Sequence, residues 1–98
     1  MDITLQLQGV DFEWDAEKYA ANLQKHGVKF EEAAQVFFDP FCQFGEASVE
    51  DETREFVVGF SFGFQLLFTV FIERGERIRI ISARETTETE RKNYARRE

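Results

Sequence analysis

Residues 54–84 read REFVVGFSFGFQLLFTVFIERGERIRIISAR, and this stretch decides the fold. It holds three runs rich in Val, Ile, Phe and Thr, at residues 54–62, 65–73 and 77–83. These residue types favour strands, and turn signals at Gly63 and Arg74-Gly75 separate the runs, so the pattern predicts an antiparallel meander. Because residues 66–72 are apolar at nearly every position, we expect them to form its central strand, covered on both faces.

The N-terminal part predicts a broken strand followed by a helix. Apolar and polar residues alternate over residues 3–14 with a break at Gly9, which is typical of a strand. Asp15 is a favourable N-cap and Gly27 a favourable C-terminal stop, so residues 16–26 are predicted to be helical. The apolar face of this helix would consist of Tyr19, Ala20 and Leu23.

Two further helices and a weak strand complete the predicted elements. Residues 31–38 fit a short helix that Asp39-Pro40 stops, with an apolar stripe formed by Phe30, Ala33, Ala34 and Phe37. Residues 41–48 have weak strand character. Thr87 with Glu90 three residues later is a capping-box pattern, which predicts a C-terminal helix through about Arg97.

Together these elements predict one small α+β domain spanning residues 1–98. We expect a curled antiparallel sheet of about four to five strands, with two N-terminal helices and one C-terminal helix packed mainly on one face. The opposite face of the sheet would then be open to a ligand.

Charge is unevenly distributed along the chain. The formal net charge is −7, which disfavours nucleic-acid binding because phosphate contacts need Lys and Arg. Residues 74–97, however, hold eight basic residues against four Glu, whereas residues 1–53 hold three basic and twelve acidic residues. This asymmetry predicts a local basic face, and the alternative is a solvated helix beside a polar strand.

Several classes of protein are not indicated. The N-terminus lacks a secretory leader and no apolar run approaches the roughly 20 residues of a membrane span, so we expect a cytoplasmic protein without membrane contact. The lone Cys42 predicts a buried structural thiol. Phosphate-binding glycine loops, nucleophile elbows and metal-ligand spacings do not occur, and the sequence therefore indicates no cofactor and no metal.

The last run of the meander carries regularly spaced arginines. Strict alternation would place Arg77 and Arg79 on one face with Ile81 and Ala83, and Arg84 on the other with Ile78, Ile80 and Ser82. Since alternation often fails at a strand end, the facing of Arg84 stays open. Guanidinium groups suit phosphate oxygens, so this row predicts an RNA-backbone contact. The alternative is that arginine stems merely cover apolar surface.

His26 is the only histidine, and it lies at the end of the first predicted helix beside Lys25. The negative end of the helix dipole would favour its protonated form, which suits a general acid or a phosphate ligand. The alternative interpretation is a C-terminal helix cap with no catalytic role.

Two long motifs resemble one bacterial toxin family. Residues 12–18 read FEWDAEK and residues 22–33 read NLQKHGVKFEEA, an F-x-W-D, N-x-x-K-H-G, F-x-E-A series that is similar to the BrnT signature. Residues 77–84, RIRIISAR, followed by Glu90-Arg91 and Tyr94, resemble the closing I-R-I-I-S-A-R and E-R-x-x-Y pattern of the same family. The resemblance therefore covers nearly the whole chain.

The BrnT resemblance implies a RelE-like ribonuclease fold and RNA cleavage that inhibits translation. It also implies neutralisation by a BrnA-like antitoxin with a ribbon-helix-helix part, so that the toxin would touch DNA only through the complex. The motif positions carry the functional expectation onto Lys25, His26, Arg79, Arg84 and Arg91, with Trp14 and Asn22 as candidate supports.

On this interpretation the protein is a metal-independent endoribonuclease. His26, or Lys25, would transfer protons, while Arg79 and Arg84 would stabilise the phosphorane. Flanking phosphates would be bound by Arg77, Arg91 and Lys92.

Two other functions fit the same residues. A catalytically degenerate copy, or a non-catalytic interaction module of the same fold, would form a stable complex without cleaving RNA. A transcriptional autorepressor component would contact DNA only through its partner. Charge complementarity further predicts that an acidic segment of the antitoxin covers Arg77, Arg79 and Arg91.

Overall fold

A computed structural model describes residues 1–96, which begin with a β-hairpin and include a short helix near their end. Its strands are β1 (Asp2–Leu7), β2 (Val10–Asp15), β3 (Gln43–Glu46), β4 (Glu55–Phe60), β5 (Leu66–Arg74) and β6 (Arg77–Glu85). Its α-helices are α1 (Ala16–His26), α2 (Phe30–Gln35) and α3 (Glu88–Ala95), and a single 3-10 turn, Val36–Phe38, follows α2.

The six strands of the described residues form one mixed sheet in the order β1-β2-β6-β5-β4-β3. β2 and β6 run parallel, and the other neighbouring pairs run antiparallel. The prediction of a wholly antiparallel sheet with four to five strands is therefore wrong. The additional strand arises at Gln8 and Gly9, whose φ angles of 49° and 83° form a two-residue turn and divide residues 3–14 into β1 and β2.

The predicted meander of β4, β5 and β6 is confirmed, and β5 lies at its centre. Its side chains alternate between the two faces of the sheet. Leu67 and Phe71 point to the face that carries α1 and α2, which we call the α1 face. Leu66 and Phe68 point to the opposite face, which carries α3 and which we call the α3 face.

Two of the three described helices, α1 and α2, pack on one face as predicted, but α3 covers part of the opposite face, which was expected to be open. The main core lies on the α1 face, where Phe12, Trp14 and Phe30 are almost completely buried. A smaller cluster on the α3 face joins Tyr94 of α3 to Val58 and Leu66. Tyr94 thus anchors α3 against the β4 side of the sheet.

The helix boundaries follow local capping signals. The Asp15 carboxylate accepts a hydrogen bond from the Lys18 amide at 3.0 Å, and Gly27 ends α1 with a φ of 70°. The predicted apolar face of α1 is partly wrong, because Leu23 is 39% exposed while Asn22 is buried.

The other two helices are slightly shorter than predicted. α2 begins at Phe30, and the last turn of the predicted helix is the 3-10 turn. The capping box of Thr87 and Glu90 is confirmed, and α3 ends at Ala95; the predicted end at Arg97 lies outside the described residues. Cys42 is half-buried and packs against the main core.

Candidate active site

A β-bulge decides which side chains of β6 share a face. Val70 of β5 pairs with Ser82, but the next residue, Phe71, pairs with Ile80, so Ile81 is the extra residue. An extra residue of this kind reverses the alternation beyond it.

The bulge brings the predicted arginines together on the α3 face. Arg84 pairs with Phe68 and Arg79 with Ile72, and both partners point to that face. Ala83, in contrast, is fully buried in the main core. The facing of Arg84, which the sequence left open, is therefore the same as that of Arg79, and strict alternation does not hold through the bulge.

Arg79 is held by two carboxylates from the neighbouring hairpin. It donates to Glu13 Oε2 at 2.7 Å, and its two terminal nitrogens bond both carboxylate oxygens of Asp2 at 3.1 Å. The hydrogen bonds to Asp2 and Glu13 raise the pKa of Arg79, and Arg79 in turn lowers the pKa of Asp2. The Arg79 side chain is only 16% exposed.

Glu13 is the centre of this cluster. Its side chain is 7% exposed, and Arg77 and Arg74 approach its carboxylate at 3.4 and 3.5 Å, in addition to Arg79. Three arginines therefore converge on one buried carboxylate. The arginine row predicted from the sequence is thus part of an ion-pair network centred on Glu13.

Arg84 forms a separate pair near the other end of β6. Its terminal nitrogens bond the two carboxylate oxygens of Glu90 at 2.8 and 2.9 Å, which raises the pKa of Arg84 and lowers that of Glu90. Its guanidinium carbon lies 4.2 Å from the centre of the Phe68 ring, within cation–π range. The Arg84 side chain is 34% exposed, about twice the value for Arg79.

Lys25 and His26 occupy the last turn of α1, as predicted. Lys25 is exposed and His26 is half-buried. Because α1 packs on the α1 face, Lys25 and His26 lie on the opposite side of the sheet from the side chains of Arg77, Arg79 and Arg84.

Asn22 fixes α1 to the edge of β6. Its side-chain amide donates to the Ala83 carbonyl at 2.8 Å and accepts from the Ala83 amide at 3.2 Å. β2 pairs with β6 only over Arg77 to Arg79, so this side chain takes the place of a strand neighbour farther along β6. This pair of hydrogen bonds, the Asn22 tether, holds the C-terminal half of α1 close to Ala83, the residue that precedes Arg84.

The remaining predicted residues lie apart from the arginine cluster. Arg91 is exposed on α3, and Lys92 on the same helix forms an exposed pair with Glu88 at 3.3 Å. Trp14 is 1% exposed and makes edge contacts with the rings of Tyr19 and Phe30, so its role here is packing.

The sequence analysis missed the carboxylates that hold the arginines. Glu13 alternates with Phe12 and Trp14 in β2, a signal that it points away from the main core. Its partners on β6 are 64 and 66 residues distant and meet it only through the parallel pairing. Local pattern could therefore predict the facing of Glu13 but not its partners.

Residues 1–96 contain neither a metal-ligand cluster nor a membrane-spanning helix. No group of three or more His, Cys, Asp or Glu side chains in this range is arranged to hold a metal ion. None of the helices described there is long and apolar enough to cross a bilayer.

Comparison with known proteins identifies the family. The model of the BrnT ribonuclease toxin of type II toxin–antitoxin systems matches residues 14–90. The chain belongs to the BrnT family. It is accordingly a ribonuclease toxin of a type II toxin–antitoxin system and has a cognate antitoxin, as the two sequence motifs predicted. No curated protein sequence matches this BrnT-family chain.

A solved structure supports the BrnT-like fold. The 1.1 Å crystal structure of the Brucella abortus ribonuclease toxin, BrnT, superposes with a TM-score of 0.57 at 20% sequence identity. The match covers 76% of this chain and 94% of that chain. The α+β class predicted for this BrnT-family toxin is thereby confirmed, with the corrections to strand number and direction given above.

The two arginine pairs of this BrnT-family toxin share one geometry. Each guanidinium binds a carboxylate through two nitrogens, and phosphate oxygens fit the same fork.

Proposed function

We propose that this toxin cleaves RNA at the edge of β6 beside Arg84, without a metal ion. The observation that carries the proposal is the tether from Asn22 to Ala83, immediately before Arg84. His26 follows Asn22 by one helical turn, about 6 Å along the axis. The imidazole of His26 and the guanidinium of Arg84 would thus both contact one stretch of RNA that crosses this edge of β6.

The reaction needs proton transfer and positive charge. A base removes the proton of the 2′-hydroxyl, whose oxygen attacks the phosphorus, and an acid protonates the departing 5′ oxygen. His26, or Lys25 beside it, would carry the protons, and Arg84 would stabilise the charge of the phosphorane.

Arg79 fits a neighbouring phosphate better than the one that reacts. It lies five residues from Arg84, roughly 15 Å along an extended strand. Its fork is directed to Asp2 and Glu13 on one side of β6, whereas that of Arg84 is directed to Glu90 on α3. Arg79 and Arg77 would therefore bind the RNA backbone on one side of the cut, and Arg91 and Lys92 would bind it on the other.

A catalytically silent toxin is the second candidate, and the internal ion pairs favour it. An RNA phosphate must compete with Glu90 at Arg84 and with Asp2 at Arg79. If that competition fails, the protein keeps its fold and its antitoxin contact but cleaves nothing.

For the antitoxin, we propose a BrnA-like ribbon-helix-helix protein in the cytoplasm, through which the complex contacts DNA. An acidic segment of this partner would cover Arg77, Arg79 and Arg91 and exclude RNA by competition. A labelled RNA should then be released when antitoxin is added. A ternary complex that holds RNA and antitoxin together would contradict the shared surface.

The decisive experiment is cleavage of a labelled RNA by purified, antitoxin-free protein in EDTA. We expect cleavage by the wild type and its loss in His26→Ala and Arg84→Ala. Arg54→Ala is the matched control, because Arg54 forms an ion pair with Glu52 at 2.9 Å in the loop before β4. Cleavage that survives both site substitutions in folded protein would refute the site, and a folded but inactive wild type would favour the silent toxin.

A further inference from the structure

A cavity of about 310 Å³ lies between α3 and the sheet, next to the Arg84 pair. Phe56 and Phe68 contribute aromatic surface, and Gln43, Glu90 and Asn93 contribute polar groups. Its volume is at the lower end of the range for small-molecule sites, which suits one flat ring system.

The aromatic surface of the cavity is continuous with Arg84. The rings of Phe56 and Phe68 are stacked, with centres 4.7 Å apart and an angle of 19° between their planes. The guanidinium of Arg84 covers Phe68 at 4.2 Å, so cation, first ring and second ring follow one another across β6, β5 and β4. Only the Phe68 ring therefore separates Phe56, at the cavity, from the Arg84 guanidinium, the group proposed to bind phosphate.

Gly45 on the neighbouring strand permits this arrangement. It lies opposite Phe56 in the β3–β4 pairing, and a Cβ atom at this position would collide with the Phe56 ring. A side chain at residue 45 would displace the ring from its stacked position.

The polar groups of the cavity suit the edge of a base. Gln43 Nε2 makes long hydrogen bonds to the carbonyl oxygens of Asn93 and Tyr94, at 3.5 and 3.4 Å, and these are easily exchanged. Gln43 and Asn93 each offer amide donors and an acceptor, and proteins read unpaired RNA bases with such groups above an aromatic side chain.

The other cavities do not combine these features. An apolar groove of about 500 Å³ near Phe62 and Phe64 has no Lys or Arg among its described lining residues. The cavity at residues 49–54 is lined by Arg54, but also by Glu50, Asp51 and Glu52, which repel phosphate, and none of its described lining residues is aromatic. Arg84 does not itself line the cavity under α3, but it contacts two of the lining residues, Phe68 and Glu90, and so places a cation beside an aromatic surface.

We propose that the cavity under α3 binds one nucleobase of the RNA, adjacent to the phosphate at Arg84. The base packs against the ring of Phe56, since Arg84 and Phe56 already cover the two faces of Phe68, and Gln43 and Asn93 select the base by its hydrogen-bonding edge. The pocket makes the cleavage sequence-dependent. This inference rests on the proposed role of Arg84 and adds the residues that determine specificity.

The first test is a cleavage profile on an RNA pool of random sequence. The wild type should favour one base at a fixed position beside the cut, and Asn93→Ala, Gln43→Ala and Phe56→Leu should reduce that preference roughly tenfold. Gln65→Ala and Phe64→Leu are the matched controls, because both side chains are exposed outside the cavity. Unchanged preferences in active, folded variants would overturn the pocket.

The second test separates the pocket from catalysis. Each of the four nucleoside 5′-monophosphates is titrated into nitrogen-labelled wild-type protein while the side-chain amide signals of Gln43 and Asn93 are followed by NMR. Shifts of these signals with at least one nucleotide support the pocket even if the wild type cleaves no RNA, in which case only the proposed catalysis fails. If the wild type cleaves RNA but the Gln43 and Asn93 signals do not shift, and the cavity variants keep the wild-type cleavage profile, only the proposed pocket is overturned.

Discussion

Arg79 and Arg84 lie on the same strand and the same face, yet their surroundings differ. Arg79 is 16% exposed and binds carboxylates from two other strands, one of them the buried Glu13. Arg84 is 34% exposed and binds Glu90, six residues along the chain. The comparison suggests that Arg79 mainly joins β6 to the N-terminal hairpin, whereas Arg84 can exchange its partner for a ligand.

The largest effect is expected where the Arg79 cluster loses its buried charge. Glu13→Gln would leave Arg74, Arg77 and Arg79 without their shared carboxylate, and should lower the free energy of unfolding by about 3 kcal/mol. Urea denaturation measures this directly. Glu52→Gln, which breaks the exposed pair with Arg54, is the control and should have a much smaller effect. Equal effects of the two substitutions would show that Glu13 does not organise the fold.

Lysine substitutions test the two arginines in catalysis. Lysine keeps the charge but cannot form the two-nitrogen fork. We expect Arg84→Lys to reduce kcat/KM by about 100-fold with little loss of stability, because it removes the group assigned to the phosphorane. Arg79→Lys should chiefly lower stability. Single-turnover cleavage and denaturation measure the two effects. If Arg79→Lys mainly lost cleavage and Arg84→Lys mainly lost stability, the roles assigned to the two residues would have to be exchanged.

The sequence predicts the local elements well because their signals are local. Asp15, Gly27 and the pair Thr87 and Glu90 mark helix ends through contacts within a few residues, and the structure confirms them. The α1 face could also be predicted in outline, since Phe30, Ala33 and Ala34 are buried as the apolar stripe requires.

The features that the sequence did not predict are non-local. The parallel pairing of β2 with β6 brings Glu13 to Arg79 and leaves no trace in the spacing of either strand. The bulge at Ile81 depends on the register with β5, and it changes the face of Arg84. The sequence motifs therefore predict the candidate residues. Which of these residues lie together depends on how the strands pair in the sheet.

Asn22→Ala tests whether the edge beside Arg84 depends on α1. The substitution leaves the amide and carbonyl of Ala83 without their partner in a buried position, and should cost about 2 kcal/mol of stability. It should also lower cleavage more than Gln24→Ala, which removes an exposed amide from the same helix. If Asn22→Ala cleaves RNA as fast as the wild type, the reaction does not depend on α1, and therefore not on His26.

The smallest effect concerns the exchangeable pair of Arg84 and Glu90. Arg84 holds the pKa of Glu90 below its ordinary value of 4.5. Because the folded-state pKa is depressed, the stabilisation is present above pH 4.5 and is lost as the pH falls through the lower folded value. As the pH falls below 4.5 the wild type should therefore lose more stability than Glu90→Gln, by less than about 1 kcal/mol, since solvent screens this partly exposed pair.

Glu90→Gln retains a side-chain oxygen that can accept the hydrogen bond now made by the Thr87 amide at 2.9 Å, so the start of α3 should be preserved. Denaturation at a series of pH values measures the difference, with Glu88→Gln as the control on the exposed side of the same helix. If Glu90→Gln and the wild type lose stability in parallel as the pH falls, the pair contributes nothing to folding. Arg84 would then be held in place by Phe68 and the Glu85 carbonyl, and a phosphate could replace Glu90 without cost to the fold.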